Sequence, residues 1–224
     1  MSKTRLISPS ASVRVWDLPT RLFHWVLVLL FAASWWSAEN REMEWHYRSG
    51  ITILILLVFR LIWGVIGGST ARFGGFVRGP RAAMDYMRGV VPKDAGHNPL
   101  GGYSVIAMLL ALVVQVGTGL FATDIDGLES GPLSHFVDFD QGRQAAEIHE
   151  TSFNILLALI ALHVLTILFY LVARRRNLVT PMVTGRDKAL NASIGGLAPA
   201  GPLRLAIALV VAFLVGWWVS TGIT

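Results

Sequence analysis

Two histidines in one apolar segment have the spacing to bind metal-containing cofactors at two depths of a membrane. His149 and His163 lie fourteen residues apart in the stretch 147–176, which reads EIHETSFNILLALIALHVLTILFYLVARRR. At about 100° and 1.5 Å per residue, a helix places them within about 40° of one face and about 21 Å apart. An imidazole inside a membrane span is costly and therefore indicates function. The structural alternative is one interfacial histidine and one hydrogen-bonded inside a bundle.

A second apolar segment repeats this interval. His46 and Arg60 also lie fourteen residues apart, so a helix places them on one face at two depths. A guanidinium inside a membrane needs an anionic partner, and arginine suits bidentate recognition of a carboxylate. We expect Arg60 to bind a buried anion such as a haem propionate. The alternative is that its side chain snorkels to water.

The composition of the chain is that of a membrane protein. Of its 224 residues, 54% are hydrophobic and 15% are charged, and the mean hydropathy is +0.56. Five apolar segments approach or reach the length that spans a bilayer. They are 22–38, 51–68, 101–122, 153–173 and 203–221. We expect an all-α integral membrane fold, and we interpret the first segment as a retained anchor because no cleavage site follows its long basic leader.

The charges alternate between the two sides of the predicted spans. Fifteen of the nineteen Lys and Arg residues lie before the first span, between the second and third, or around the connection from the fourth to the fifth. Ten of the fourteen acids lie around the other two connections. This positive-inside pattern predicts a cytoplasmic N-terminus, with the acidic loops and the C-terminus on the opposite side. Because the basic residues follow the membrane topology, we expect no nucleic-acid partner.

The predicted topology sorts four histidines into two levels. His46 and His149 fall at outer helix ends, and His24 and His163 fall in the inner half, so two bis-histidine sites stack across the membrane. Neutral imidazole is a common axial ligand of haem iron. Zinc is a second candidate, but each pair lacks the third and fourth ligands that structural zinc normally takes. A proton relay is a further candidate, but it would need carboxylates in the spans, and there are none. Without cysteine, any haem is held non-covalently. Spacing alone leaves the inner pair offset by about 10 Å.

The connections contain weaker candidates. His97, in GHNPLGGYS, is either solvated or in contact with a quinone or a haem propionate. We expect His135 to be solvated and a short helix to form over 82–88. In the third span, Gln115, Gly117 and Gly119 lie in the outer half, and the two glycines favour close helix packing or the close approach of a flat cofactor. The predicted domains are a flexible arm over 1–15, the bundle over 16–176, an extended basic linker over 177–202 and a fifth helix over 203–224.

Several motifs resemble the bacterial cytochrome b561 family. They are DLPTRLFHW, HYRSG followed by FRLIWG, GHNPLGGYS, EIHETSFNILLALIALHVLTILFY and the tail RNLVTPMVTGR. Within that family they most resemble the b-type cytochrome subunits of nickel–iron hydrogenases. The resemblance covers roughly residues 13–185 and implies a four-helix bundle in the bacterial inner membrane. It also implies two b haems, ligated by His24 with His163 and by His46 with His149, with a periplasmic C-terminus.

The resemblance implies electron transfer between ubiquinone or menaquinone and a periplasmic c-type cytochrome or hydrogenase-like enzyme. Arg21, His97 and Asn98 are the candidate quinone-binding residues, because they lie near the inner haem. Two alternatives stay open at this point. Some relatives are superoxide:quinone oxidoreductases, although the acidic loops here should repel superoxide. The second alternative is that the chain is a membrane anchor subunit of a hydrogenase or another dehydrogenase.

Overall fold

Five long helices dominate the computed structural model, which describes residues 12–90, 96–188, 190 and 196–221. In chain order the helices are α1 (Leu18–Glu39), α2 (Met43–Ile66), α3 (Phe73–Phe76), α4 (Pro80–Met87), α5 (Pro99–Phe121), α6 (Phe139–Val172), α7 (Val179–Thr184) and α8 (Pro202–Ser220), with a 3-10 helix at Ser134–Phe136. Strands β1 (Val13–Arg14) and β2 (Arg186–Asp187) pair antiparallel. Helices α1, α2, α5, α6 and α8 are long and apolar enough to cross a membrane, which confirms the expected all-α membrane architecture.

Side-chain caps determine where three of the long helices begin. Asp17 accepts a hydrogen bond from Thr20 N at 2.9 Å at the start of α1, and Asn98 caps α5. Asp138 and Gln141 form a capping box at the start of α6. The N-cap Asp138 lies fifteen residues before the apolar run that begins at 153. Helix α6 is therefore 34 residues long, about 51 Å, against a hydrocarbon core of about 30 Å.

Helix α2 is central to the packing. It packs along α1, α5 and α8, and α5 in turn packs along α6. The core between them includes Leu57, Trp63, Leu109 and Leu156, all buried. Most other large apolar side chains of the long helices point outward, which suits contact with lipid rather than water.

Small residues attach α8 to α2. Ala208 and Ala212 are buried and, with Gly216, follow a four-residue interval along one face of α8. A Cβ atom on Gly216 would lie 2.2 Å from Ile55 Cγ1, so the two helix backbones approach closely. This small-residue spacing is the usual means of tight packing between membrane helices. Helix α8 thus packs closely along α2.

The N-terminal arm and the linker after α6 fold against each other, contrary to the expectation of a flexible arm and an extended linker. The backbone N–H groups of Val15 and Trp16 donate to Gly185 O, and Leu197 N donates to Arg14 O. Val15 is buried, and Gly185 has a left-handed φ of 79° that ends α7. These contacts join segments about 170 residues apart, so no local pattern indicated them. Residues 1–11 of the arm and 191–195 of the linker lie outside the described residues.

These segments close one end of the bundle, together with the connection from α2 to α5. Thr70 Oγ1 donates to Val15 O at 2.6 Å, and Ser69 N donates to Ala198 O. We call this the basic end, because it holds most Lys and Arg residues, and the opposite end the acidic end. Helix α4 at the basic end confirms the short helix expected around 82–88.

The close approach at Gly216 yields a stability prediction. We expect Gly216→Leu to destabilise the protein by about 1–3 kcal/mol, because the new side chain overlaps Ile55 and forces α8 away from α2. Thermal denaturation of the detergent-solubilised protein measures the change. Gly50→Leu is the matched control, since a Cβ on Gly50 meets no atom within 4 Å. Equal melting temperatures for the two variants would contradict the proposed packing.

Candidate functional site

The structure brings the four predicted histidines together as two facing pairs. The imidazole centroids of His24 on α1 and His163 on α6 lie 6.5 Å apart. Those of His46 on α2 and His149 on α6 lie 6.1 Å apart. Helix α6 is continuous through both positions, so the fourteen-residue interval places its two histidines on one face, about 21 Å apart. One helix therefore contributes to both pairs.

The inner pair does not show the offset that spacing alone predicted. Helix α1 starts six residues before His24, and α6 continues nine residues past His163, so the two rings lie about 9 Å and about 14 Å from their helix ends. This axial difference is about 5 Å, less than the offset of about 10 Å that spacing predicted, and the ring centroids lie 6.5 Å apart. The two rings meet despite their unequal positions in sequence.

The separation within each pair fits one iron atom between two imidazoles. A metal–nitrogen bond of about 2.0 Å plus about 1.1 Å from nitrogen to ring centre gives about 6.2 Å between the centroids of two imidazoles that share a metal. The observed values are 6.5 and 6.1 Å. Within the described part of the chain, no group of three His, Cys, Asp or Glu side chains is placed to hold a metal. Two axial ligands, as in haem, therefore fit each pair better than a tetrahedral zinc site.

Backbone carbonyl groups orient both histidines of the outer pair. His46 Nδ1 lies 2.9 Å from Ser34 O, and His149 Nδ1 lies 2.8 Å from Gln115 O. With Nδ1 donating to a carbonyl, the lone pair of each imidazole is on Nε2, the atom that would bind a metal. The Gln115 amide lies 3.0 Å from His149 Nε2, and its Oε1 accepts from Ser152 Oγ at 2.5 Å. Sequence reasoning did not identify Ser34. For Gln115, the available signal was the presence of a polar residue in an apolar span.

The inner pair has a different environment, with a buried cation beside it. Arg60 is 3% exposed, and its guanidinium carbon lies 4.9 Å from the centre of the Phe73 ring. Arg60 Nη1 and His24 Nδ1 are both enclosed without a hydrogen-bond partner. Buried polar atoms normally have partners, so these two point to a group that hydrogen-bonds at this level. Arg60 thus lies at depth, as predicted, rather than reaching water.

His97 is not the solvated residue that one reading of its loop suggested. Its ring lies 4.6 Å from Trp16 and 4.7 Å from Phe76, and its Nδ1 is enclosed without a partner. Burial, together with the positive charges of Arg60 and His163, lowers the pKa of His97 to about 3. The imidazole is therefore neutral at physiological pH. His135, in contrast, is exposed, as expected.

The other two candidate quinone residues make structural contacts at the same end. Arg21 Nη1 donates to Val183 O of α7, while its Nε is enclosed without a partner. The Asn98 side chain accepts from Gly101 N at 2.7 Å, and its Nδ2 lies 3.5 Å from the Tyr170 hydroxyl. The backbone oxygen of Trp16 and the side chain of Arg21 both lie beside Gly185, and the Trp16 ring contacts His97. Trp16 is therefore near both Arg21 and His97. The three predicted residues thus share one end of the bundle.

Aromatic side chains occupy the space between the two histidine levels. The rings of Phe31 and Phe153 stack at 5.9 Å, and Trp35 meets Phe153 edge-on at 5.7 Å.

At the basic end, the hydroxyl groups of Tyr86 on α4 and Tyr170 on α6 form a hydrogen bond of 2.6 Å. Burial, together with this hydrogen bond, raises the pKa of Tyr86 to about 12. Sequence reasoning assigned only Trp35 a role, as an interface anchor near the outer boundary, and gave none to the other aromatic residues.

A membrane-spanning helical bundle with facing imidazoles is the architecture of a transmembrane b-type cytochrome. The family model for prokaryotic cytochrome b561 matches residues 15–185, and the chain therefore belongs to this family. Its members bind b-type haem and take part in electron transfer, which confirms the resemblance seen in the sequence motifs. Searches of curated proteins and of solved structures gave no match. Helix α8 lies outside the matched range.

The packing at the outer pair yields a test of the site. A Cβ on Gly119 would lie 2.7 Å from His149 Cε1, whereas a Cβ on Gly117 meets nothing within 4 Å. We expect Gly119→Val to displace the His149 ring and to lower the haem bound per chain, while Gly117→Val keeps it. Pyridine haemochrome spectra of the purified variants measure the haem content. Equal loss in both variants would show that the effect comes from a β-branched residue in α5 and not from His149.

Proposed function

We propose that this chain carries electrons across the bacterial inner membrane through two b haems, one at each histidine pair. The observation that supports this most directly is the pairing itself, with ring separations of 6.5 and 6.1 Å and one member of each pair on α6. When bound, each haem supplies a one-electron couple between ferric and ferrous iron, and two imidazole ligands leave no open position for a substrate. Electron transfer rather than catalysis at iron follows from this ligation.

The residues around the pairs have distinct tasks in this proposal. His24 with His163, and His46 with His149, hold the two iron atoms. The carbonyl groups of Ser34 and Gln115 orient the outer imidazoles through their Nδ1 atoms. The stacked rings between the levels exclude water, so the path from one site to the other stays within a medium of low dielectric constant.

Arg60 binds a propionate of the inner haem in this proposal. Its guanidinium is buried among Phe23 and Phe73, and no described residue satisfies Nη1. A buried cation is stable only with an anion or a dense set of acceptors nearby. A propionate supplies two carboxylate oxygens that match the planar donors of arginine. The same charge favours the ferrous state, because reduction adds an electron close to it.

We place the quinone at the basic end, at Arg21, His97 and Asn98. His97 supports this because a neutral imidazole can donate to or accept from a quinone oxygen, and its ring lies between two aromatic side chains. The positive-inside pattern puts this end in the cytoplasm and the C-terminus in the periplasm. The substrate is then ubiquinone or menaquinone.

At the acidic end, the proposed redox partner is a periplasmic c-type cytochrome or a hydrogenase-like enzyme. The outer pair lies near the water boundary, since His149 precedes the apolar run of α6 by four residues. The surrounding surface is acidic and favours partners with a basic docking face. Electrons can thus pass between a quinone at the basic end and a partner at the acidic end. Neither molecule has to cross the membrane.

Haem stoichiometry of histidine variants tests the proposal. We expect two haems per wild-type chain and one after His24→Ala, His163→Ala, His46→Ala or His149→Ala, because each variant removes an axial ligand. The spectra should fall into two groups, one lacking the inner haem and one lacking the outer. Pyridine haemochrome assays with reduced-minus-oxidised spectra measure both quantities. The exposed His135→Ala is the control and should retain two haems.

A wild-type stoichiometry of one haem would sink the proposal of two sites. Losses grouped in another way, for example His24→Ala matching His46→Ala, would overturn the pairing while leaving haem binding in place. A colourless protein after haem-replete expression would contradict the cytochrome assignment itself. These three outcomes are distinguishable in one set of preparations.

Removal of the Arg60 charge tests its place beside the inner haem. We expect Arg60→Gln to lower the midpoint potential of the inner haem by roughly 60 mV, equivalent to tenfold in a one-electron equilibrium. The sign follows because loss of a nearby positive charge favours ferric iron. Redox titration followed by optical spectroscopy measures both haems, and the outer one should shift much less. Arg81→Gln, an exposed change at the same end, is the control for net charge.

A further inference from the structure

The connection between α5 and α6 is an ordered projection at the acidic end. Thr123 pairs with Ser130 in an antiparallel bridge, and Asp124 N donates to Glu129 O at 3.0 Å. Gly127 turns the chain with a left-handed φ of 70°. The result is a short hairpin over 123–130, followed by the 3-10 helix and the start of α6.

This projection exposes large apolar side chains outside the apolar part of the bundle. Leu128 is 83% exposed and Ile125 is 76% exposed, and Phe136 and Phe139 are each more than half exposed. A Cβ on Gly127 would lie 3.8 Å from the Phe139 ring, so the ring lies beside the hairpin tip. The start of α6 precedes its apolar run by fourteen residues, about 21 Å of helix. Lipid tails therefore do not account for this exposure, and apolar groups of this kind mark interaction surfaces.

Carboxylates outnumber cations around these apolar side chains, since the hairpin contacts one arginine, Arg143, and the surrounding segment contains five acids. The segment 123–142 contains five acidic residues and no Lys or Arg. Four of the acids are exposed, namely Asp126, Glu129, Asp138 and Asp140. An apolar centre with an anionic rim excludes anionic lipid headgroups by repulsion. It is complementary to a protein surface whose apolar centre has a basic rim.

The projection is fixed to α6, the helix that holds His149 of the outer pair. Thr123 N donates to Gly142 O at 3.1 Å, and Arg143 Nη1 donates to Thr123 O at 2.9 Å. Gly142 precedes His149 by seven residues, two helical turns on the same face of α6. Gly119, in the last turn of α5, lies against His149 and precedes Thr123 by four residues. A partner docked on the projection is thus held at a defined place relative to the outer pair.

We propose that this surface, the acidic–apolar patch, docks a soluble one-electron carrier with a basic rim around an apolar redox edge. The patch consists of Ile125, Leu128, Phe136 and Phe139 with Asp126, Glu129, Asp138 and Asp140. The proposal rests on the electron-transfer function above. The reaction it serves is one outer-sphere electron transfer between the outer site and the carrier: one centre is oxidised, the other is reduced, no bond forms and no proton moves.

Stopped-flow electron transfer to a basic soluble c-type cytochrome tests the patch, with the holoprotein in nanodiscs. We expect Asp126→Asn with Glu129→Gln to lower the second-order rate constant about tenfold at low ionic strength, with the difference fading at high salt. Ile125→Ser with Leu128→Ser should lower it by a similar factor at high salt as well, because the lost contact is apolar. All of these side chains are exposed, so the haem spectra should remain unchanged.

A matched control removes two charges from the same end but outside the patch. Glu42→Gln with Glu147→Gln changes the net charge equally, and both side chains are exposed. We expect less than a twofold effect from this pair. Equal effects of both acidic pairs, or equal wild-type rates with an acidic carrier, would overturn the patch. Haem content checks the underlying function separately, since a failed patch leaves two intact haem spectra.

A single labelled cysteine distinguishes a protein partner from the membrane surface. The chain has no cysteine, so Leu128→Cys accepts one environment-sensitive fluorophore at the hairpin tip. Spin-labelled lipids in the nanodisc should leave its emission unchanged, and the basic cytochrome should shift it. Quenching by the lipids would show that the tip lies in the bilayer, which would refute docking of a soluble carrier.

Discussion

The fourteen-residue interval on α6 is the constraint on which the rest of the structure depends. A membrane helix with two imidazoles on one face, about 21 Å apart, has two polar side chains that are costly to expose to lipid. The face must be buried, and each imidazole needs a partner at its own depth. The α1–α2 hairpin supplies both partners, since His24 lies near the start of one helix and His46 near the start of the next. The antiparallel arrangement of α1 and α2 then follows from where these two residues lie in sequence.

The same constraint explains why α2 is central. It must lie close enough to α6 for His46 to reach His149, and it must also hold Arg60 at the inner level. Its remaining face is covered by α8 through Gly216 and neighbouring alanines, which permit close approach without adding polar groups. Helix α8 contributes no histidine and packs mainly along α2, so it supports the helix that holds His46 and Arg60.

Much of this arrangement was predictable because its causes are local. Apolar length determines the five spans, and helical periodicity together with loop charges places the four histidines in pairs. What was not predictable depends on distant contacts. The sheet between β1 and β2 needs segments about 170 residues apart, and the enclosure of His97 needs Trp16 and Phe76 from two other segments. The early start of α6 is an intermediate case: Asp138 and Gln141 form a recognisable capping box, but a search for apolar runs passes over it.

The two levels are also chemically unequal, and the inequality has a direction. At the outer level, carbonyl groups accept hydrogen bonds from the Nδ1 atoms of His46 and His149, which makes these ligands more basic and favours ferric iron. At the inner level, His24 Nδ1 has no such partner, and the positive charge of Arg60 favours ferrous iron. Under the proposed di-haem function, both effects set the inner potential above the outer one. Electrons that arrive at the acidic end then run downhill toward the basic end, where the quinone is proposed to bind.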